Sequence, residues 1–320
     1  MKKIFFAFAA LAAITACNKA EVVDVTPDNL IGFDAPFVDN ATKALGEKDY
    51  SGTKELTGFK VYGTVTGNAA TVNLFDAVQI NRGAAGFGDE WSYANTDDVE
   101  YWVPSCSYSF AAVVDGTVSK QDDYGMPTEI SYSIGDGDLL YATALASTSV
   151  SGTPSGVTED GYVAFTFNHL LSKVYFTFEN GFDNGDYKYK VNEVTISGFA
   201  NDGTYTIGAP DPWTLGEDPT AEALSFGTLG VLDSDATVTS DIDHLVIPGE
   251  QTVTISFTYD VIFKGETISS FPVTHELENQ EFAQKTVYNI NVTLPALGNE
   301  IKFTVTGKPG DFTTDSSINI

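Results

Sequence analysis

The chain has few basic residues, and Arg82 is its only arginine. Lysine and arginine together number 16 against 44 aspartates and glutamates, so the formal net charge at pH 7 is −28. A surface of this sign repels phosphate backbones, and we therefore exclude nucleic acid as a partner. We interpret the acidic excess as a solvated surface, with calcium binding as the functional alternative. The short acidic stretches at residues 136–138 and 183–186 do not match the calcium-binding loop that ends in glutamate.

Long hydrophobic runs are also missing. No segment reaches the ~18 consecutive apolar residues of a membrane-spanning helix. At the N-terminus, Lys2 and Lys3 precede a short apolar stretch over residues 4–13 and the run Ile14-Thr15-Ala16-Cys17. A basic start, a short apolar stretch and small residues before a cleavage site are typical of a secretory signal.

The cysteine that closes this signal predicts lipidation. In bacterial lipoproteins such a thiol takes a diacylglycerol, the signal is cleaved before it, and further acyl chains such as palmitate are added; two or more chains hold a protein stably on a membrane. We predict that residues 1–16 are a signal peptide, that Cys17 is lipidated, and that the mature protein works outside the cytoplasm. The alternative is an ordinary signal peptide with a chance cysteine.

Cysteine and histidine are too scarce for two kinds of site. After lipidation of Cys17 only Cys106 remains, so no intramolecular disulfide can form. One thiol and three scattered histidines argue against zinc. We predict no metal and no cofactor.

Helical periodicity is absent from long windows, whereas apolar residues alternate with period two along most of the chain. This pattern is shown by Val163, Phe165 and Phe167, by Val174, Phe176 and Phe178, and by Val253, Ile255 and Phe257. The early set Ile31, Phe33, Ala35 and Phe37 shows it too, and we predict that these residues share one face of an extended segment. Strands with turn signals between them are typical of β-sandwiches. We predict an all-β chain with two β-sandwich domains in tandem, at residues 45–170 and 171–320.

Catalytic motifs are not found. The sequence has no GxSxG, HExxH, phosphate-binding or dinucleotide-binding fingerprint. His169 has no neighbouring nucleophile or carboxylate in sequence, so we interpret it as a structural residue. The tryptophans Trp91, Trp102 and Trp213 are core residues if buried and could stack on sugars if exposed. An enzyme is the weaker hypothesis.

These features resemble the fimbrillin-like lipoproteins of type V pili in Gram-negative anaerobes. The most specific stretch is residues 167–174 (FNHLLSKV), and the others occur in the expected order along nearly the whole chain. They are residues 14–17 (ITAC), 31–33 (IGF), 59–62 (FKVY), 91–93 (WSY), 101–102 (YW), 108–110 (YSF), 138–140 (DLL), 245–248 (LVIP) and 285–288 (KTVY).

The resemblance implies Greek-key, transthyretin-like domains and assembly by strand exchange. In the family, an arginine-specific protease removes the lipidated N-terminal segment with its first strand, and a neighbouring subunit donates a strand, usually C-terminal, to the groove. Residues 17–44 would be the removable segment, with Ile31, Phe33, Ala35 and Phe37 on its strand. The candidate donors are Ile301, Phe303, Val305, Ile318 and Ile320.

One position departs from the family pattern. The cleavage arginine is missing, and Lys43 before Ala44 stands in its place. Either a protease that accepts lysine cuts after Lys43, or the subunit is not processed and stays anchored. Stalk, tip and anchor roles therefore remain open.

The resemblance favours a structural fimbrial subunit on the cell surface that contributes to adhesion. Its partners would be other pilus subunits, together with outer-membrane lipid through the acyl anchor. The alternative is a surface-anchored lipoprotein that binds host or bacterial glycans and does not polymerise.

Overall fold

A computed structural model describes residues 29–38, 56–83, 91–182, 185–216, 222–295 and 300–309. These residues form strands connected by turns, and their longest helical element is a single 3-10 turn at Thr96–Asp98. No helix in this part of the chain has the length and apolar character needed to cross a membrane. The prediction of an all-β chain is confirmed.

The chain divides into two compact units. Of the described residues, the first unit holds 29–38, 56–83, 91–130 and 139–168, and the second holds 131–138 together with those from 169 onward. The short excursion of residues 131–138 into the second unit has no signal in the sequence. The Greek-key, transthyretin-like order of strands stays a prediction.

The first unit is built around one large sheet. Its strands follow the order β1-β10-β8-β5-β2-β3-β4, with β9 beside β8, and β6 pairs with β7. Their bounds are β1 Phe37–Val38, β2 Gly58–Thr66, β3 Thr71–Arg82, β4 Trp91–Tyr93, β5 Ser107–Val114, β6 Thr117–Gln121, β7 Pro127–Ser133, β8 Leu140–Thr148, β9 Pro154–Ser155 and β10 Thr166–His169. The last residues of β7 and β10 belong to the second unit.

The second unit contains two sheets that enclose a common core. One has the order β17-β11-β21-β22 with β18 beside β11, and the other the order β15-β12-β19-β20 with β16 beside β12. The bounds are β11 Ser172–Gly181, β12 Tyr187–Ser197, β13 Asp202–Thr206, β14 Trp213–Leu215, β15 Leu224–Gly227, β16 Val231–Leu232, β17 Thr237–Thr239, β18 His244–Val246, β19 Gly249–Phe263, β20 Glu266–Phe282, β21 Thr286–Pro295 and β22 Lys302–Pro309.

The alternating residues of the second unit form this core. Val174, Phe176 and Phe178 of β11 are fully buried, and they pack in one cluster with residues such as Ile255 and Phe257 of β19. The alternation in β11 and β19 that the sequence shows is therefore confirmed, because every second side chain of these strands points between the two sheets.

Candidate functional site

Residues 29–38, which we call the first segment, are hydrogen-bonded to the first unit along one side by an antiparallel contact. The amide of Ile31 donates to the carbonyl of Glu100 at 2.9 Å, and the amide of Trp102 donates to the carbonyl of Asn29 at 2.8 Å. Leu30 and Tyr101 form the bridge between these two bonds. The chain at residues 100–102 is thus one wall of the slot that holds the segment.

The other side of the first segment is bonded in parallel to residues 163–167. The amide of Val163 donates to the carbonyl of Gly32 at 2.8 Å, and the amide of Asp34 donates back to the carbonyl of Val163 at 3.0 Å. Further along, the amide of Phe37 donates to the carbonyl of Phe165 at 2.9 Å, where β1 pairs with β10. We call the slot between residues 100–102 and 163–167 the groove.

The floor of the groove is aromatic. Phe33 is 4% exposed, and Ile31 is fully buried. Five rings lie with their centroids 5.8 to 6.4 Å from that of Phe33, and they are Phe59, Phe75, Tyr93, Phe110 and Phe165. Such aromatic pairs stabilise beyond their buried area, so the first segment supplies the centre of this cluster.

The predicted shared face of the first segment is wrong in its second half. Ile31 and Phe33 are buried, but Ala35 is exposed and Phe37 is 59% exposed, whereas Val38 is buried. Phe33 lies opposite Val163 and Phe37 opposite Thr166, so four steps on the segment match three on its partner. One extra residue reverses the alternation of faces, as in a β-bulge.

A buried tyrosine and a partly buried glutamate adjoin the segment. The hydroxyl of Tyr93 donates to the carbonyl of Ile31 at 2.6 Å, and burial raises the pKa of Tyr93 well above its ordinary value. Burial also raises the pKa of Glu100 to about 7. The carbonyl of Glu100 accepts the hydrogen bond from the amide of Ile31, so the titrating carboxyl group of Glu100 belongs to a residue of the groove wall.

The pKa of Glu100 is higher in the folded state, so the folded state binds the proton of this carboxyl group more tightly than the unfolded state does. The contribution to stability is present in full below the ordinary pKa of 4.5 and is lost as the pH rises to about 7. We expect Glu100→Gln to remove ~1–2 kcal/mol of the pH dependence of the first unit between pH 5 and 8, after allowance for solvent screening. Denaturant unfolding at both pH values measures this. Asp97→Asn, at an exposed carboxylate nearby, is the control, and an equal change in both variants contradicts the assignment.

The three tryptophans do not form a sugar-binding platform. Trp91, Trp102 and Trp213 are 5%, 4% and 9% exposed. Trp91 packs on Phe59 and Trp102 on Tyr108, and the indole nitrogen of Trp213 donates to the carbonyl of Leu170 at 3.1 Å. The possible glycan contacts at these residues are therefore corrected to core positions, because no ring face is open to a ligand.

His169 makes a buried polar contact that the sequence does not reveal. Its Nδ1 lies 2.6 Å from Oδ2 of Asp138, and both side chains are fully buried. The interpretation of His169 as a structural residue stays a prediction. Its carboxylate partner was missed because the two residues are distant in sequence.

A second buried pair lies close by in sequence. Nζ of Lys173 is 3.8 Å from Oδ2 of Asp243; the lysine side chain is fully buried and the aspartate side chain 7% exposed. Lys173 sits in β11 opposite Leu245 of β18, so the pair ties these strands together at one end of the core. Both charges belong to the second unit and not to the groove.

Three of the candidate donor residues lie on or directly before β22, which is an edge strand of the second unit. β22 pairs antiparallel with β21, and Ile301, Phe303 and Val305 are half-buried against the core. Phe303 stacks on His275 with centroids 3.8 Å apart. Cys17, Lys43, Ala44, Ile318 and Ile320 lie outside the described residues. Within those that are described, no three histidine, cysteine, aspartate or glutamate side chains come together in a group that could hold a metal ion.

Comparison with known proteins identifies the family. The model of the fimbrillin-like family matches residues 42–309. The chain belongs to this family. The matched range begins after the first segment, so the family match does not cover residues 29–38 and only the structure describes their geometry. No curated protein matches the chain.

Solved structures are similar to the chain at low sequence identity. A fimbrial protein from Bacteroides vulgatus is 16% identical, with a TM-score of 0.60 over 88% of this chain and 99% of that one. Two proteins assigned to cell adhesion, from Bacteroides uniformis and Bacteroides ovatus, are 15% and 16% identical with TM-scores of 0.47. They cover 89% and 86% of this chain and 99% and 94% of their own. At 16% sequence identity, the similarity to the Bacteroides vulgatus protein shows a shared fold.

Proposed function

We propose that the fimbrillin-like chain is a structural subunit of a surface fimbria, exported as a lipoprotein through Cys17 and assembled by strand exchange. In this exchange the first segment leaves the groove and an extended segment of another subunit takes its place. The observation that carries the proposal is the position of residues 29–38: they are hydrogen-bonded on both sides and fill the aromatic floor, yet they precede residues 42–309, which the family model matches.

Strand addition to an open sheet edge explains why exchange would be favourable. Backbone hydrogen bonds supply affinity, and alternate side-chain pockets supply selectivity. Removing the first segment would leave the amides of Trp102 and Val163 and the carbonyl of Phe165 without these partners, and would expose the rings around Phe33. An unfilled groove of this kind is unstable in water, so departure of the segment calls for a replacement.

The removable segment and the donor are assigned from the chain itself. We propose that cleavage after Lys43 detaches residues 17–43, and that failure to cleave keeps the subunit on the outer membrane. As a donor, the chain would offer Phe303 and Val305 of β22 together with Ile301 directly before it, or Ile318 and Ile320 beyond it. The proposal assigns no catalytic chemistry to the protein, and its role in adhesion follows from its place in a fibre.

Electron microscopy of sheared surface filaments, probed with antibody to this protein, tests the proposed role. We expect label along filaments or at their tips, and N-terminal sequencing of the filament-associated form should begin at Ala44. The Cys17→Ala variant, which cannot be lipidated, is expected to lose surface label. Label that stays on the cell body while filaments carry none would contradict a subunit of the shaft or tip, and a start other than Ala44 removes the proposed cleavage site.

A further inference from the structure

The groove places a strict size limit on one residue of its occupant. A Cβ atom added to Gly32 would lie 2.2 Å from Cδ1 and 2.4 Å from Cε1 of the Tyr162 ring. Real Cβ atoms do not approach so closely, and Gly32 does not have the positive φ that would itself demand glycine. The requirement is therefore steric, and Tyr162 imposes it.

The residues on either side of Gly32 are selected in a different way. Ile31 is fully buried, and Phe33 occupies the space between five rings. A smaller residue at position 33 would leave a cavity, and a larger one at position 32 would meet Tyr162. The groove thus fits a glycine followed directly by a large aromatic residue, with an aliphatic residue before the glycine.

The C-terminal segment of this chain lacks such a pair. Within residues 300–320, Gly307 is followed by Lys308 and Gly310 by Asp311, and neither glycine adjoins an aromatic residue in either direction. Elsewhere Phe59, Tyr162, Phe182 and Phe199 each follow a glycine, but the three phenylalanines are buried in their own units and Tyr162 is itself part of the groove. The pair Gly86-Phe87 lies outside the described residues.

We infer that Tyr162 and the ring cluster select the occupant of the groove, and that this occupant is a segment of another subunit in which a glycine is followed directly by an aromatic residue. The inference rests on the proposed strand exchange, and it specifies which kind of segment can replace the first segment in the groove. Residues 300–320 of a second copy do not meet this requirement, because they contain no glycine next to an aromatic residue.

The test uses the full chain with a site-specific protease sequence inserted after Lys43. The protein is cleaved after it has folded, so that the first segment stays in place until a labelled peptide exchanges with it. Three peptides are compared, covering residues 28–40, 300–320 and 83–90. We expect the 28–40 peptide to exchange and its Gly32→Ala form to bind at least about tenfold more weakly. The 83–90 peptide, which carries Gly86-Phe87, is expected to exchange in preference to the 300–320 peptide, which has no glycine–aromatic pair.

Each alternative outcome has a distinct meaning. If the 28–40 peptide itself does not exchange, the proposed strand exchange fails and the inference fails with it. If the 28–40 peptide and its Gly32→Ala form bind equally, exchange stands but Tyr162 is not the selecting residue. Exchange of the 300–320 peptide at an affinity equal to that of the 28–40 peptide, or no preference for the 83–90 peptide over the 300–320 peptide, would show that the groove does not select a glycine–aromatic pair.

A pair of variants in the uncleaved chain checks the same contact without exchange. Gly32→Ala is expected to lower the thermal midpoint of the first unit, and Tyr162→Ala in the same chain is expected to restore most of that loss, since it removes the ring that the new methyl group meets. The Tyr162→Ala protein should also bind the Gly32→Ala peptide as well as the wild-type peptide. An unchanged loss in the double variant would overturn the steric assignment.

Discussion

Replacing Phe33 by alanine is expected to lower the free energy of unfolding of the first unit by about 3–5 kcal/mol. The phenyl ring lies among five other rings and is 4% exposed, so its removal leaves a cavity that the surrounding sheet cannot close fully. Denaturant unfolding in a Trp213→Phe background measures the effect, because the remaining tryptophans, Trp91 and Trp102, both report on the first unit.

Phe37→Ala is the matched control. It removes the same side chain from the same segment four residues further on, where the ring is 59% exposed. We expect a change within about 0.5 kcal/mol, as for other exposed positions. Equal destabilisation by the two substitutions would show that the segment does not anchor itself through Phe33.

The second large effect is expected at the buried pair of the second unit. Lys173→Met should destabilise this unit by about 3–5 kcal/mol, because it leaves the carboxylate of Asp243 buried without its cation. The double variant Lys173→Met/Asp243→Leu removes both charges and should recover at least half of the loss. Fluorescence of Trp213, which lies in the same unit, follows the unfolding.

An exposed ion pair in the same unit provides the comparison. Nζ of Lys188 lies 2.5 Å from Oδ1 of Asp233, with the two side chains 44% and 66% exposed. We expect Lys188→Met to cost no more than about 1 kcal/mol, since water solvates the charge left behind. A double variant at residues 173 and 243 that is as unstable as the single variant would mean that the charges stabilise the fold through other contacts.

The strands could be predicted from the sequence because burial follows local alternation. Phe165, Phe167, Phe176 and Phe178 are buried as their period-two pattern predicts. The same pattern failed at Ala35, because an inserted residue shifts the register without changing the hydrophobicity of the segment. Pairing register depends on the partner strand, and no local pattern contains it.

The contacts that define the groove could not be predicted from the sequence, and neither could the pairing of the buried charges. Gly32 meets Tyr162, and Lys173 meets Asp243, across long stretches of chain. Each residue alone is ordinary: glycine and tyrosine are frequent here, and 44 acidic residues make any single aspartate uninformative. A secretory signal could be predicted from the sequence alone, because the basic start, the apolar stretch and Cys17 are adjacent.

The two units therefore differ in what their polar and aromatic residues do. In the second unit two buried pairs, His169–Asp138 and Lys173–Asp243, connect residues near the start of β11 to other segments of the unit. β22 forms one edge of its sheet. In the first unit an N-terminal segment, separated in sequence from β2 by residues 39–57, completes the core. In the proposed strand exchange the first unit would therefore be the acceptor.

Cross-linking mass spectrometry of assembled filaments tests most directly whether the first segment is replaced. A photoreactive residue at Thr166, an exposed position opposite Phe37, would report the chain that lies beside β10. We predict cross-links to a segment of another subunit, and the absence of residues 29–38 from the filament-associated protein. Filaments in which residue 166 still cross-links to residues 29–38 of the same chain would contradict strand exchange.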